Sequence, residues 1–152
     1  MLSNIKKFAQ LPRKEKRLFW EAYWTLGVMR AAILRIPFKN LTRSLQHSPK
    51  KGKSVMLNEE QKRTALAIGR AIERAALHTP WESACLAQSL AAQKMLKKRG
   101  IPGVFYLGVA KDNEVEEKMK AHAWTECGEM ILTGGRGHEA FTVVSVFGWT
   151  EK

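Results

Sequence analysis

Apolar residues recur at three- and four-residue spacing at Leu18, Ala22, Leu26, Met29 and Ile33, which predicts a helix from Arg13 to about Arg35. Pro12 suits its first turn and Pro37 ends it. Phe19, Trp20, Tyr23 and Trp24 widen the apolar face beyond one stripe, so this helix is expected to touch neighbours on two sides. Leu18, Ala22, Leu26 and Met29 are read as facing the core, Trp20 and Trp24 as facing a partner. A second helix starts at Asn58, with Gln61 as reciprocal capping residue, and carries Leu66, Gly69, Ile72, Ala76 and Leu77 on one face before His78 closes it. A third has two competing starts. Thr79, Pro80 and Glu82 form one start signal, and Ser83 as cap forms another that puts Cys85 in the first turn. Gly100 and Pro102 end it either way.

Beyond Pro102 the period changes to strands. "GVFYLGV", "AHAWTE", "EMILTGG" and "AFTVVSVFGW" read as four antiparallel strands, with "DNEVEEKMK" a charged loop between the first two. Helices followed by strands predict an α+β domain. Alternation places His122, Trp124 and Glu126 on one face of a strand and Ala121, Ala123 and Thr125 on the other. A turn at Cys127–Gly128 pairs Glu126 with Glu129, and counting back sets His122 opposite Thr133. "HSPKKGKS" lacks an apolar anchor and reads as a connector, dividing the chain into an N-terminal helical segment (1–48), a basic linker (49–54) and a core (55–152).

Composition narrows the class. At 152 residues and 45% hydrophobic, the chain can bury one sizeable core, and two cysteines supply no disulfide framework, which points to a reducing compartment. No compact apolar signal segment is read at the start, so the cytoplasm is the expected location. A net charge of +12 admits nucleic acid, an anionic membrane surface or an acidic polypeptide as partner. Leu18 to Phe38 contains Glu21, Arg30 and Arg35 and is read as non-spanning. The clusters "KKRG" and "PKKGK" suit solvated faces, and no phosphate-binding glycine loop is present, so nucleic acid is not expected.

Two residues could carry chemistry. A lone helical cysteine is most often a small buried hydrophobe, but Cys85 has Ser83, Ala84, Ala87 and Ser89 around it and a helix start that favours the thiolate. A strand histidine is more often structural, yet two alanines flank His122. A helix-start thiol and a strand imidazole together suit acyl transfer: the thiolate attacks a carbonyl, the imidazole moves the proton, and backbone amides hold the oxyanion. Cys127 and His138 are too few for a metal site.

"CLAQSLAAQKMLKKRGIPGVFYLGV" with "AHAWTECGEMILTGG" resembles the transglutaminase-like cysteine protease core, and more narrowly the stand-alone leader peptidases of lasso-peptide biosynthesis. "LPRKEKRLFWEAYWTLGVMRAAILRIPFKNLTRSL" is similar to that family's N-terminal helical segment. The resemblance implies a transglutaminase-like/papain-like core with N-terminal helices packed on a small antiparallel sheet. It implies Cys85 as nucleophile and His122 as general base. It also implies removal of the leader from a ribosomally made lasso precursor peptide, delivered by a small separate leader-binding protein, before an ATP-dependent cyclase closes the ring. No cofactor or metal is needed by the protease itself. The family's aspartate, about a dozen positions after the histidine, is replaced by Thr133, Gly134 and Gly135. Thr133 or a backbone carbonyl is the first candidate to orient the ring, then Glu139, then Glu126. Trp20, Trp24, Trp81 and Trp124 are candidate substrate or partner contacts, with weak membrane-surface association the other use of the N-terminal helix. The rival readings are an amidase or transglutaminase-like acyltransferase, and a non-catalytic basic binding protein.

Overall fold

Pro12 and Pro37 bracket the longest helix, α2 (Arg13–Arg35), in the computed structural model, which describes residues 2–43, 45–48, 56–81, 84–111 and 119–149. Ile36 is extended because the ring that follows it disfavours helical backbone. A short helix, α1 (Leu2–Ala9), precedes α2, and α3 (Phe38–Leu41) follows it. Leu18, Phe19, Ala22 and Leu26 are buried and Met29 is half-buried, while Trp20 and Trp24 stand 48% and 64% exposed. The inward and outward sets are therefore those the spacing predicts.

Asn58 caps α4 (Glu59–Ala76) through the expected reciprocal pair with Gln61. Its buried face is Ala65, Ile68, Gly69, Ile72 and Ala75. Leu66 and Leu77, expected inside, are exposed: small residues at 65, 69 and 75 let the backbone come closer, and the apolar stripe shifts by one position. Gly69 has the Leu132 carbonyl oxygen 3.0 Å from where a Cβ would sit, so α4 lies directly on the sheet.

The sheet holds β1 (Gln46–Ser48), β2 (Gly103–Lys111), β3 (Met119–Cys127), β4 (Met130–Thr133) and β5 (Thr142–Trp149), in the order β1-β5-β2-β3-β4, every neighbour antiparallel. Four of these match the expected strands. The fifth, β1, takes the first two residues of the stretch read as a connector; the linker at 49–54 lies outside the described residues.

Two clusters sandwich the sheet. Phe105, Cys127, Leu132, Phe147 and Trp149 face the helices and join α2, α4 and α5 (Cys85–Lys98) in the main core. Tyr106, Trp124 and Val146 form a smaller cluster on the other face, with Val104, Phe141 and Val143 packed on it.

Candidate active site

The third helix begins one residue beyond the later of the two expected starts, with Ala84 and not Ser83 at the cap position. Thr79 and Pro80 precede it outside any helix, Glu82 and Ser83 lie outside the described residues, and α5 opens with Cys85 as its first residue. Ala84 occupies the cap position in extended backbone with no side-chain cap. The first intrahelical bond runs from the Gln88 amide to the Ala84 carbonyl, so the amides of Cys85, Leu86 and Ala87 come before the helical ladder. Donors and dipole thus converge beside the thiol, the setting that can hold an oxyanion. Cys85 is half-buried and, at helical spacing, shares a stripe with buried Ser89, Ala92 and Leu96. The Ser89 hydroxyl has no hydrogen-bond partner among the described residues.

Topology brings His122 to the same end of the molecule. From Lys98 the chain turns through Gly100 (φ 68°) and Pro102 directly into β2, whose first residues pair with the last of β3, Val104 opposite Glu126. Packed on β3, α5 runs back for about 21 Å at 1.5 Å per residue, toward the end where β3 begins. His122 lies there, opposite Gly108.

The imidazole is on the sheet face with the smaller cluster. Its ring stacks on Trp124 at 5.9 Å and meets Phe141 at 5.0 Å. Gly108 makes this possible, since a Cβ there would come within 2.8 Å of Phe141 and 2.9 Å of Trp124. His122 Nε2 lies 2.7 Å from the Gly134 carbonyl oxygen. A carbonyl only accepts, so Nε2 carries the proton and Nδ1 is left as the basic nitrogen. The imidazole's bond goes to Gly134 and not to the Cys85 thiol; the two groups lie toward one end of the sheet but on opposite faces, Cys85 on the helix of the main core and His122 with the smaller cluster.

The expected register fails at Thr133. The hairpin turns at Gly128–Glu129 and not at Cys127–Gly128, so Glu126 pairs with Ile131 and not with Glu129. A bulge between Thr125 and Glu126 shifts the register once more, so that Thr133 pairs with Thr125, not His122. The Thr133 hydroxyl donates to the Thr125 hydroxyl at 3.0 Å, buried on the helix-facing side. Glu139 is exposed and 3.5 Å from the His138 ring. Glu126 faces Tyr106, whose hydroxyl is pushed to higher pKa by burial, with the neighbouring carboxylate adding to the effect. No carboxylate among the described residues reaches His122 in a hydrogen bond; the group that does is the Gly134 backbone.

Gly134 could not be replaced by the acidic residue that its distance from His122 suggests. Its φ is 67°, and an added Cβ would collide with the Ala123 carbonyl. The glycine pair after "ILT" carried that signal in the sequence, although spacing alone did not single out the residue. Trp124, read as a binding contact, is instead 3% exposed, enclosed by Tyr106, His122 and His138. Trp81 is half-buried on Tyr23 and Gly27. Cys127 is fully buried, its thiol donates to the Pro102 carbonyl at 3.1 Å, and burial pushes its pKa up to about 11. Among the described residues no group of three metal-ligating side chains occurs.

In comparison with known families, residues 28–146 match the model described as the transglutaminase-like superfamily. No curated protein and no solved structure gives a significant match.

Proposed function

This chain belongs to the transglutaminase-like superfamily, which includes cysteine proteases and acyltransferases, and on that premise we propose that it is a cysteine protease cutting the leader from a lasso precursor peptide. What supports the reading, beside the family, is a cysteine at a helix start and, toward the same end of the sheet, a histidine whose Nε2 is engaged by a carbonyl, which leaves Nδ1 as base. In the proposed reaction Cys85 Sγ attacks the scissile carbonyl as its proton passes to His122 Nδ1. The amides at the start of α5 hold the oxyanion. His122 returns the proton to the departing amine, and water then hydrolyses the thioester with the same imidazole as base.

Cys85 belongs to the helix on the main-core face and His122 to the opposite face of the sheet, so the proposed proton transfer requires a rearrangement that brings the two together when substrate binds. Leader removal would free the amino terminus on which the ATP-dependent cyclase acts, and a separate leader-binding protein would deliver the precursor. These finer assignments rest on the resemblance of the "CLAQSLAAQKML" and "AHAWTE" segments.

The test is precursor cleavage followed by mass spectrometry, with the leader-binding partner present. Cys85→Ala should abolish cleavage, and His122→Ala should lower it by about a thousandfold or more. Two peptides summing to precursor plus water indicate hydrolysis. A new amide with an added amine would replace the protease by the acyltransferase reading, and cleavage retained in Cys85→Ala would end both.

A further inference from the structure

The outer face of α2 has no role in the site described above. At 100° per residue, Trp20, Trp24, Val28 and Ala31 fall within one narrow stripe, with Arg13 and Arg17 continuing it toward the N-terminus and Arg35 toward the C-terminus. All seven are exposed, and Trp24 and Val28 are 64% and 52% accessible. Nothing among the described residues covers the stripe. The helix has two carboxylates, and both are engaged elsewhere: Glu15 lies 4.0 Å from Arg74, and Glu21 is bound by Arg99 and Lys98. The face is thus apolar in its middle, cationic at both ends and free of uncommitted negative charge.

A cleft between α1 and α2 extends this surface. It measures about 550 Å³ and is walled by Ile5, Phe8, Leu11 and Trp20, with Lys7 and Arg74 also lining it. An apolar trough that carries cations suits an acyl chain with a phosphate at its head.

We infer that the α2 face seats this protein on an anionic lipid surface, α2 lying in the plane of the interface. Charge complementarity selects this occupant: a net +12 chain presents arginines at both ends of a tryptophan-centred stripe, so indoles enter the boundary region while guanidinium groups reach phosphates. A convex helix face needs no shaped counterpart to be wetted by lipid. The association is peripheral, since no helix among the described residues is long and apolar enough to cross a membrane. Tyr23 bridges the face to Trp81, just ahead of α5, their rings 5.1 Å apart, so the seated surface and the start of the Cys85 helix are neighbours. This inference does not depend on the protease reading.

The experiment is co-sedimentation of the full chain with phosphatidylcholine vesicles, with and without phosphatidylglycerol, at low and raised salt. Binding to the phosphatidylglycerol vesicles, weakened by salt, is expected. Trp24→Ser with Val28→Ser should lower the partition coefficient by about tenfold or more, and Arg13→Gln with Arg17→Gln and Arg35→Gln should remove the preference for phosphatidylglycerol. These side chains are exposed, and circular dichroism melts check that the variants stay folded. Independently of the serine variants, brominated lipid should quench the wild-type tryptophan emission, and Trp24→Phe should remove much of that quenching. No vesicle binding, binding indifferent to the Trp24 and Val28 changes, or a dimer dissolved by Trp24→Ser in protein that ignores vesicles would each overturn the inference.

Discussion

Single residues separate the two thiols. Cys85 is half-buried at a helix start, whereas Cys127 is fully enclosed, bonded to the Pro102 carbonyl and raised by burial to about 11. Native protein treated with iodoacetamide near neutral pH should therefore be alkylated at Cys85 and spared at Cys127, as read by peptide mass mapping. Equal labelling would show that the main core opens far more readily than its packing implies. The raised Cys127 pKa also adds stability that is complete below the ordinary thiol value of about 8.5 and lost as pH climbs through about 11. Gly134 is the other decisive residue. Gly134→Ala meets both a left-handed backbone and the Ala123 carbonyl, so it should lower stability by at least about 1–2 kcal/mol. Since the moved carbonyl no longer holds Nε2, activity per folded molecule should fall as well. Urea melts beside cleavage rates distinguish the two effects, and a variant that is unstable but fully active when folded would deny Gly134 its positioning role.

Among the elements, α2 and the C-terminal end of α5 are tied through Glu21, which pairs with Lys98 and, more closely, with Arg99, a contact that sequence patterning could not reveal because Glu21 and Arg99 are 78 positions apart. Arg99 donates to both Glu21 carboxylate oxygens, at 2.9 and 2.6 Å, and this bonding holds the Glu21 carboxyl below its ordinary pKa against the opposing effect of burial. A carboxyl depressed in the folded state stabilises above its unfolded pKa and ceases to do so as pH falls through the folded value. Glu21→Gln should thus be less stable than wild type at neutral pH by about 1 kcal/mol or less, given how exposed the pair is. The gap should begin to shrink as pH falls below the ordinary carboxyl value of about 4.3 and close once the folded carboxyl is protonated. Melting temperatures of both proteins across that range check it. A gap that persists in acid would assign the effect to packing.

At the scale of the whole molecule, the way in which the substrate is delivered sets the expected kinetics. If a separate protein delivers the leader, precursor alone should be cut slowly, and adding the partner should raise the rate by concentrating the scissile bond beside Cys85. Cleavage time courses with and without partner measure this. Equal rates would place recognition in this chain. The +12 charge bears on the remaining rival, since a non-catalytic basic protein would show steeply salt-dependent affinity for generic DNA that ignores Cys85→Ala.

Local signals determined most of the elements. The Asn58–Gln61 capping box, the prolines around α2, and the alternation through His122 and Trp124 each act within a few residues, where sequence spacing and geometry coincide. The α+β class and the candidate thiol and imidazole were legible for the same reason. What only the tertiary structure decided is long-range or depends on a count that one residue upsets. The bulge between Thr125 and Glu126 moved Thr133 to the other face of the sheet, because the side-chain period of a strand is two. The start of α5, capped by Ala84 with no side-chain bond, follows neither of the two local cap signals. The ring's partner proved to be the carbonyl of Gly134, and every residue has a carbonyl, so no pattern of side chains could single it out.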